Sequence, residues 1–129
     1  MTKILVVDDE PQILRALHIS LRAHDYDVDL ALDGATAVRA AAEMPPDLMI
    51  LDLGLPDIDG IDLIRRLRSW TTVPIIVLSG RTGTADKVAA LDAGADVYLT
   101  KPFRINELIA RIHAASSRGA GIDKGDAPL

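Results

Sequence analysis

The chain has 129 residues, 49% of them hydrophobic, which points to one globular domain able to bury about two-thirds of its unfolded surface. Its 14 basic and 19 acidic residues give a net charge of -5 with no Lys/Arg cluster, so this stretch by itself lacks a nucleic-acid footprint. The absence of cysteine excludes disulfides and thiolate metal sites, and no apolar run approaches the ~20 residues of a membrane span; a soluble, cytoplasmic protein is expected.

A first strand is predicted at 3–7, where Ile4-Leu5-Val6-Val7 leads into Asp8-Asp9-Glu10-Pro11. A helix follows over 11–24: Pro11 suits an opening position, Ile13, Leu14, Leu17 and Leu21 form one face, and Arg15, His18 and Arg22 lie off it. The second strand, 27–32, alternates instead, with Val28, Leu30 and Leu32 on one side and Asp27 and Asp29 on the other, as an edge strand does. After a helix at 34–44, the run Leu48-Met49-Ile50-Leu51 forms a third strand at 48–51, closed by a lone carboxylate at Asp52. A Gly- and Pro-punctuated loop leads to a helix at 60–69, with Trp70 as an anchor at its end.

The fourth strand, 75–78, runs into Ser79-Gly80; after a helix at 84–93 the fifth, 97–100, runs into Lys101-Pro102. A last helix at 105–118 precedes a Gly-, Asp- and Pro-rich segment, 119–129, with the composition of a flexible linker. The four strands other than the second are more continuously apolar and are expected to be more deeply buried. Strands alternating with helices of this length imply an α/β fold: a parallel sheet with right-handed crossovers and helices on both faces.

In such a sheet the carboxyl ends of neighbouring strands share one edge, so Asp8, Asp9, Asp52, Ser79 and Lys101 converge there. Three carboxylates at close range raise the pKa of at least one of them unless a cation lies between. Oxygen-only ligands favour a hard ion, Mg2+ first and Mn2+ as a substitute. With Asp8 or Asp9 and Asp52 on the metal, a free Asp52 oxygen could attack phosphorus in line, while Lys101 neutralises the phosphoryl oxygens and Ser79 offers a hydroxyl. Each residue alone has an ordinary explanation: a helix cap for Asp8-Asp9-Glu10, a turn for Ser79, a loop entry for Lys101-Pro102. Their coincidence at the ends of strands one, three, four and five is what carries the chemistry. His18, His24 and His113 share no metal spacing and belong to helix surfaces.

The motifs Val-Val-Asp-Asp-Glu-Pro (6–11), Leu-Asp-Leu-Gly-Leu-Pro-Asp-Ile-Asp-Gly (51–60), Pro-Ile-Ile-Val-Leu-Ser (74–79) and Leu-Thr-Lys-Pro-Phe (99–103) resemble those of two-component response regulator receiver domains. The resemblance runs from about Lys3 to Arg118 and implies a receiver domain over residues 1–118. It implies a flavodoxin-like (βα)5 doubly wound sheet of strand order 2-1-3-4-5, with Asp52 taking a phosphoryl group from a phosphohistidine on a sensor histidine kinase. It further implies Asp8, Asp9, Asp52 and the backbone carbonyl of Gly54 as metal ligands, Lys101 on the phosphate, Ser79 and Tyr98 as switch residues, and a cis Lys101-Pro102 bond. Tyr98 is otherwise an ordinary half-buried strand aromatic. Arg81 and Gly54 flank the expected site, where they bear on the access of water.

Within the family, Asp52 to Asp57, Gln12 to Leu17 and Asp86 to Asp96 are similar to the OmpR/PhoB-like regulators of Kdp-type potassium transport. That subfamily carries a winged-helix DNA-binding domain after the linker, which this sequence lacks. The branch implies a phosphorylation-favoured homodimer through the fourth helix, fifth strand and fifth helix, in which Lys87 with Glu107 and Asp96 with Arg118 bridge two subunits. One departure stands out: Val97 occupies the place of the acid that would pair with Arg111. Two other readings compete, a receiver-like module that binds without phosphate and a Mg2+-dependent aspartyl phosphatase. Against the latter, Gly54 stands where a general acid often follows such a nucleophile.

Overall fold

The computed structural model describes the backbone of residues 1–124 and the side chains of residues 1–116. Strands β1 (Lys3–Val7), β2 (Asp27–Ala31), β3 (Leu48–Leu51), β4 (Ile75–Ser79) and β5 (Val97–Thr100) alternate with helices α1 (Pro11–Ala23), α2 (Gly34–Glu43), α3 (Gly60–Arg68), α4 (Thr84–Ala93) and α5 (Ile105–Lys124). All strand pairs are parallel, in the order β2-β1-β3-β4-β5. This is the expected doubly wound sheet, with every element boundary except the end of α5 within a residue of that read from periodicity.

The central strands bury both faces, and their alternate residues feed two cores. Ile4, Val6, Leu48, Ile50 and Ile76 pack with Leu14, Leu17 and Leu21 of α1 and Leu108 and Ile112 of α5. Leu5, Val7, Met49, Leu51, Ile75 and Val77 pack with Ala37 and Ala41 of α2, Leu63, Ile64 and Leu67 of α3 and Ala90 of α4. Such unbroken apolar runs are what a strand covered by helices on both sides requires. Aspartates start two of the helices: Asp33 accepts from Thr36 N at 2.8 Å and Asp59 from Ile61 N at 2.9 Å, each satisfying an amide that the helix leaves unpaired.

Four expectations need correcting. On β2, Val28 is buried, but Leu30 and Leu32 are 41% and 53% exposed, because the edge strand's carboxyl end is left open in a groove between α1 and α2. β5, the opposite edge as the expected strand order has it, is less deeply buried than its apolar run suggests: Val97 and Tyr98 are half-buried and Thr100 is exposed. Trp70 is 46% exposed and anchors nothing in the core. Helix α5 runs to Lys124 instead of ending at Arg118; Gly119 and Gly121 lower its helix propensity by about 1 kcal/mol each, but no proline interrupts it before Pro128. The side chain of Arg118 and residues 125–129 lie outside the described residues.

Candidate functional site

Register places the chemistry. Val7, Leu51 and Val77 are successive partners across β1, β3 and β4, so Asp8 and Asp52, one residue on, and Ser79, two residues on, come to one edge. The ladder continues one step into the loops: Asp8 N donates to Ala31 O at 3.1 Å, Asp52 N to Val7 O at 2.9 Å and Lys101 N to Ser79 O at 2.8 Å. Backbone pairing thus aims Asp8, Asp52 and Lys101 into a common cleft. Asp8, Asp52 and Ser79 are buried there, at 2%, 8% and 1% exposure. The Lys101–Pro102 peptide bond is cis.

Lys101 Nζ lies 2.9 Å from Asp8 Oδ2, 3.3 Å from Glu10 Oε1 and 3.7 Å from Asp52 Oδ2. Asp8 Oδ1 accepts from Glu10 N at 2.9 Å. Burial is the largest influence on Asp8 and raises its carboxyl above the ordinary range, with the Asp52 charge acting the same way; the hydrogen bonds from Lys101 and Glu10 N and the Lys101 charge oppose it without prevailing. Burial works to lower the pKa of Lys101, but its hydrogen bond to Asp8 and the charges of Asp8 and Asp52 outweigh it and hold the ammonium above its ordinary value.

Carboxylate oxygens of Asp8, Glu10 and Asp52 all come within 4.8 Å of one another, a spacing that could hold a metal ion. The donor set fits Mg2+: hard oxygens only, one of them on a carboxyl disfavoured as a bare buried anion. Both Asp9 and Glu10 are exposed, but Asp9, expected among the ligands, lies outside this group and Glu10 lies inside it. Only side-chain direction separates the two neighbours, and nothing in an Asp-Asp-Glu run declares it. No histidine joins a metal-capable group among the described residues: His24 bonds Ser20 O at 2.9 Å and the His113 ring lies 6.4 Å from that of Tyr26.

Ser79 is linked to the expected switch aromatic through one residue. Ser79 Oγ accepts from Arg81 N at 3.0 Å, and the Tyr98 hydroxyl donates to Arg81 O at 2.7 Å, its ring packed against the core under α4. The Arg81 guanidinium donates to Asp59 at 3.2 Å and reaches Asp86 at 3.7 Å, bridging the starts of α3 and α4 beside the cleft.

The expected dimer residues are differently engaged. Lys87, Glu107 and Arg111 are exposed, and no ion pair holds them among the described residues. Asp96 is occupied within the chain: its Oδ2 accepts from Arg68 at 3.1 Å and from Ile75 N at 2.8 Å. Arg68 also donates to the carbonyls of Gly94, Thr71 and Val73, a hub that no spacing in the sequence betrays.

A five-stranded parallel sheet thus carries at its carboxyl edge an acidic, lysine-backed cleft beside a buried hydroxyl. The model of the response regulator receiver domain matches residues 4–113, and the chain belongs to that family. It is 57% identical over its whole length to the transcriptional regulatory protein KdpE of Mycobacterium tuberculosis H37Rv, covering 57% of that protein. It is 52% identical over 118 residues to the KDP operon transcriptional regulatory protein KdpE of Escherichia coli K12, covering 92% of this chain and 52% of that one. The BeF3-activated N-terminal receiver domain of Klebsiella pneumoniae RstA superposes with a TM-score of 0.86 at 32% identity, over 89% of this chain and 98% of that chain. The chain therefore spans about half the length of the curated relatives it matches. No helix of the described residues is long and apolar enough to cross a membrane.

Proposed function

We propose that this chain is the phosphorylation-controlled receiver of a two-component response regulator, taking a phosphoryl group onto Asp52 from the phosphohistidine of a sensor kinase. The supporting observation is the convergence of Asp8, Asp52 and Lys101 from three strands into one buried cleft. An Asp52 oxygen attacks phosphorus, the P–N bond breaks, histidine leaves with its electron pair and an acyl phosphate remains. Lys101 follows the incoming charge, exchanging part of its hold on Asp8 for the phosphoryl oxygens. Asp8, Asp52 and the Gly54 carbonyl would hold Mg2+, with Asp9 and Glu10 as the further acids of the loop. When bound, the ion supplies neutralising charge at the transferring oxygens.

Ser79 is the hydroxyl that answers the new charge. Turning Oγ toward the phosphoryl group gives up the Arg81 N bond, and Arg81 is also the residue whose carbonyl receives Tyr98. A charge change at Asp52 thereby biases the packing of Tyr98 and the surface of α4, β5 and α5. That surface, carrying Lys87, Asp96, Glu107, Arg111 and Arg118, is the proposed homodimer interface. DNA is reached only through a C-terminal winged-helix domain that follows α5, and likeness to the two KdpE proteins suggests potassium-transport genes as the target, in a cytoplasmic protein. Beryllofluoride with Mg2+ tests the reading: wild type should bind it and Asp52→Asn should not, as followed by fluorine NMR. Equal binding by both would overturn it.

A further inference from the structure

The hairpin that follows Asp52 is fastened to a helix it does not belong to. Gly54 and Asp59 form an isolated antiparallel bridge, and Gly60 N donates to Leu53 O at 2.8 Å, closing residues 53–60 on themselves. A Cβ on Gly60 would strike Leu53 Cα and come within 2.9 Å of Asp52 O, so the hairpin's end is packed against the Asp52–Leu53 backbone. Its start is equally near the chemistry, since a Cβ on Gly54 would lie 3.7 Å from Asp52 Oδ2. At the tip, Asp57 reaches across 23 residues: Oδ1 accepts from Gly34 N at 2.8 Å and Oδ2 from Ala35 N at 2.9 Å. These are free amides at the start of α2, which already has its own N-cap in Asp33. The approach depends on Gly34, where a Cβ would collide with Ile58 Cγ2 and sit 3.3 Å from Asp57 Oδ1.

Asp33 takes only the Thr36 amide of α2, and the amides of Gly34 and Ala35 are satisfied from another loop, by Asp57. The start of α2 and the hairpin tip are therefore fastened to each other. Two carboxylate oxygens on two rigid helical amides fix both the position and the orientation of the hairpin tip, as a single hydrogen bond would not. We propose that Asp57 is a positioning residue for the Asp52 site, docking the 53–60 hairpin onto α2 so that the Gly54 backbone is presented to the metal beside the Asp52 carboxylate. The proposal rests on the phosphoacceptor reading and extends it to a residue that touches neither metal nor phosphate. Groups that orient a metal's ligands are typically worth about 10–100-fold in metal affinity or activity, and one that only presents a ligand should act on affinity.

The test is an Mg2+ titration of Asp52 labelling by acetyl phosphate in wild type, Asp57→Ala, Asp57→Asn and Gly34→Ala, paired with amide hydrogen exchange. Asp57→Ala should raise the Mg2+ concentration for half-maximal labelling by about ten-fold while the rate at saturating Mg2+ stays within about two-fold. Asp57→Asn, which keeps one acceptor oxygen, should fall between, and Gly34→Ala should reproduce the effect with Asp57 intact. Exchange should quicken at residues 54–60 and in the first turn of α2 and be unchanged in β1 and β4. An unaltered Mg2+ midpoint in Asp57→Ala, with only a lower melting temperature, would make Asp57 a plain helix cap and overturn the proposal. Failure of the wild type to label at any Mg2+ concentration would instead strike the phosphoacceptor reading beneath it.

Discussion

Lys101 and Asp8, 93 residues apart in the chain, meet at 2.9 Å in the cleft at the sheet's carboxyl edge. Lys101 serves there as a built-in counter-ion to a buried carboxylate, holding together a cluster that would otherwise repel itself. Lys101→Met should cost about 1–3 kcal/mol of stability near neutral pH, because Asp8 loses its partner in a desolvated place. The loss should shrink in acid, where Asp8 can take a proton, and should be partly recovered by Mg2+. Urea denaturation at neutral and acid pH, with and without Mg2+, checks all three statements.

The sign of the Asp8 contribution to stability follows from its raised pKa. A carboxyl that holds its proton more tightly folded than unfolded stabilises the fold fully below its ordinary 3.8, and that contribution is lost as pH rises through the higher folded value. Asp8→Asn removes the titration. In the absence of metal, its melting temperature relative to wild type should therefore climb as pH rises from below 3.8 toward neutrality, then level off. Addition of Mg2+ should stabilise wild type and leave the variant nearly unmoved. Parallel melting profiles for the two proteins would contradict the assignment of Asp8 as a strained buried acid.

Arg68 offers a test of the other end of the molecule. It donates to three carbonyls and to Asp96, tying the end of α3 to the start of β5. Arg68→Ala should destabilise by about 2 kcal/mol, and Arg68→Lys should restore little of it, since a single ammonium cannot address acceptors spread around a planar fork. Chemical denaturation of the two variants gives the comparison.

The proposed dimer should respond to both the charge switch and the substitution at Val97. Sedimentation velocity should show stronger self-association with beryllofluoride and Mg2+ than without, and Val97→Asp should strengthen it further by giving Arg111 a partner. Since the Oδ2 of Asp96 is taken up by Arg68 and Ile75 N, Asp96→Ala should weaken the fold as well as any dimer. Identical sedimentation with and without beryllofluoride would count against phosphorylation-favoured dimerisation.

Much of this was legible in the chain because burial on both faces of a parallel sheet leaves a simple trace. Leu48-Met49-Ile50-Leu51 can hardly be anything but a covered strand, and the polar residue ending each such run must appear at the common edge. The family motifs then supplied the strand order, which periodicity alone leaves open. What stayed hidden depends on three-dimensional neighbours. The alternation of β2 reveals its two sides but not that the open groove beside α1 leaves Leu30 and Leu32 in solvent. Val97-Tyr98-Leu99 has the apolarity of an inner strand, which conceals how far its edge position leaves Val97 and Tyr98 open. Glu10 and Asp9 differ only in where their side chains turn. The grips of Asp57 on α2 and of Arg68 on Gly94 and Asp96 join loops distant in sequence, and neither follows a spacing rule.

The central claim is that Asp52, alone among the acids of the cleft, accepts a phosphoryl group. Incubation with acetyl phosphate and Mg2+, followed by intact mass and peptide mapping, tests it most directly. Wild type should gain the mass of one phosphoryl group on the peptide carrying Asp52, chelation of the metal should suppress the gain, and Asp52→Asn should show none. An unmodified wild type, or a variant that labels as well as wild type, would contradict the claim.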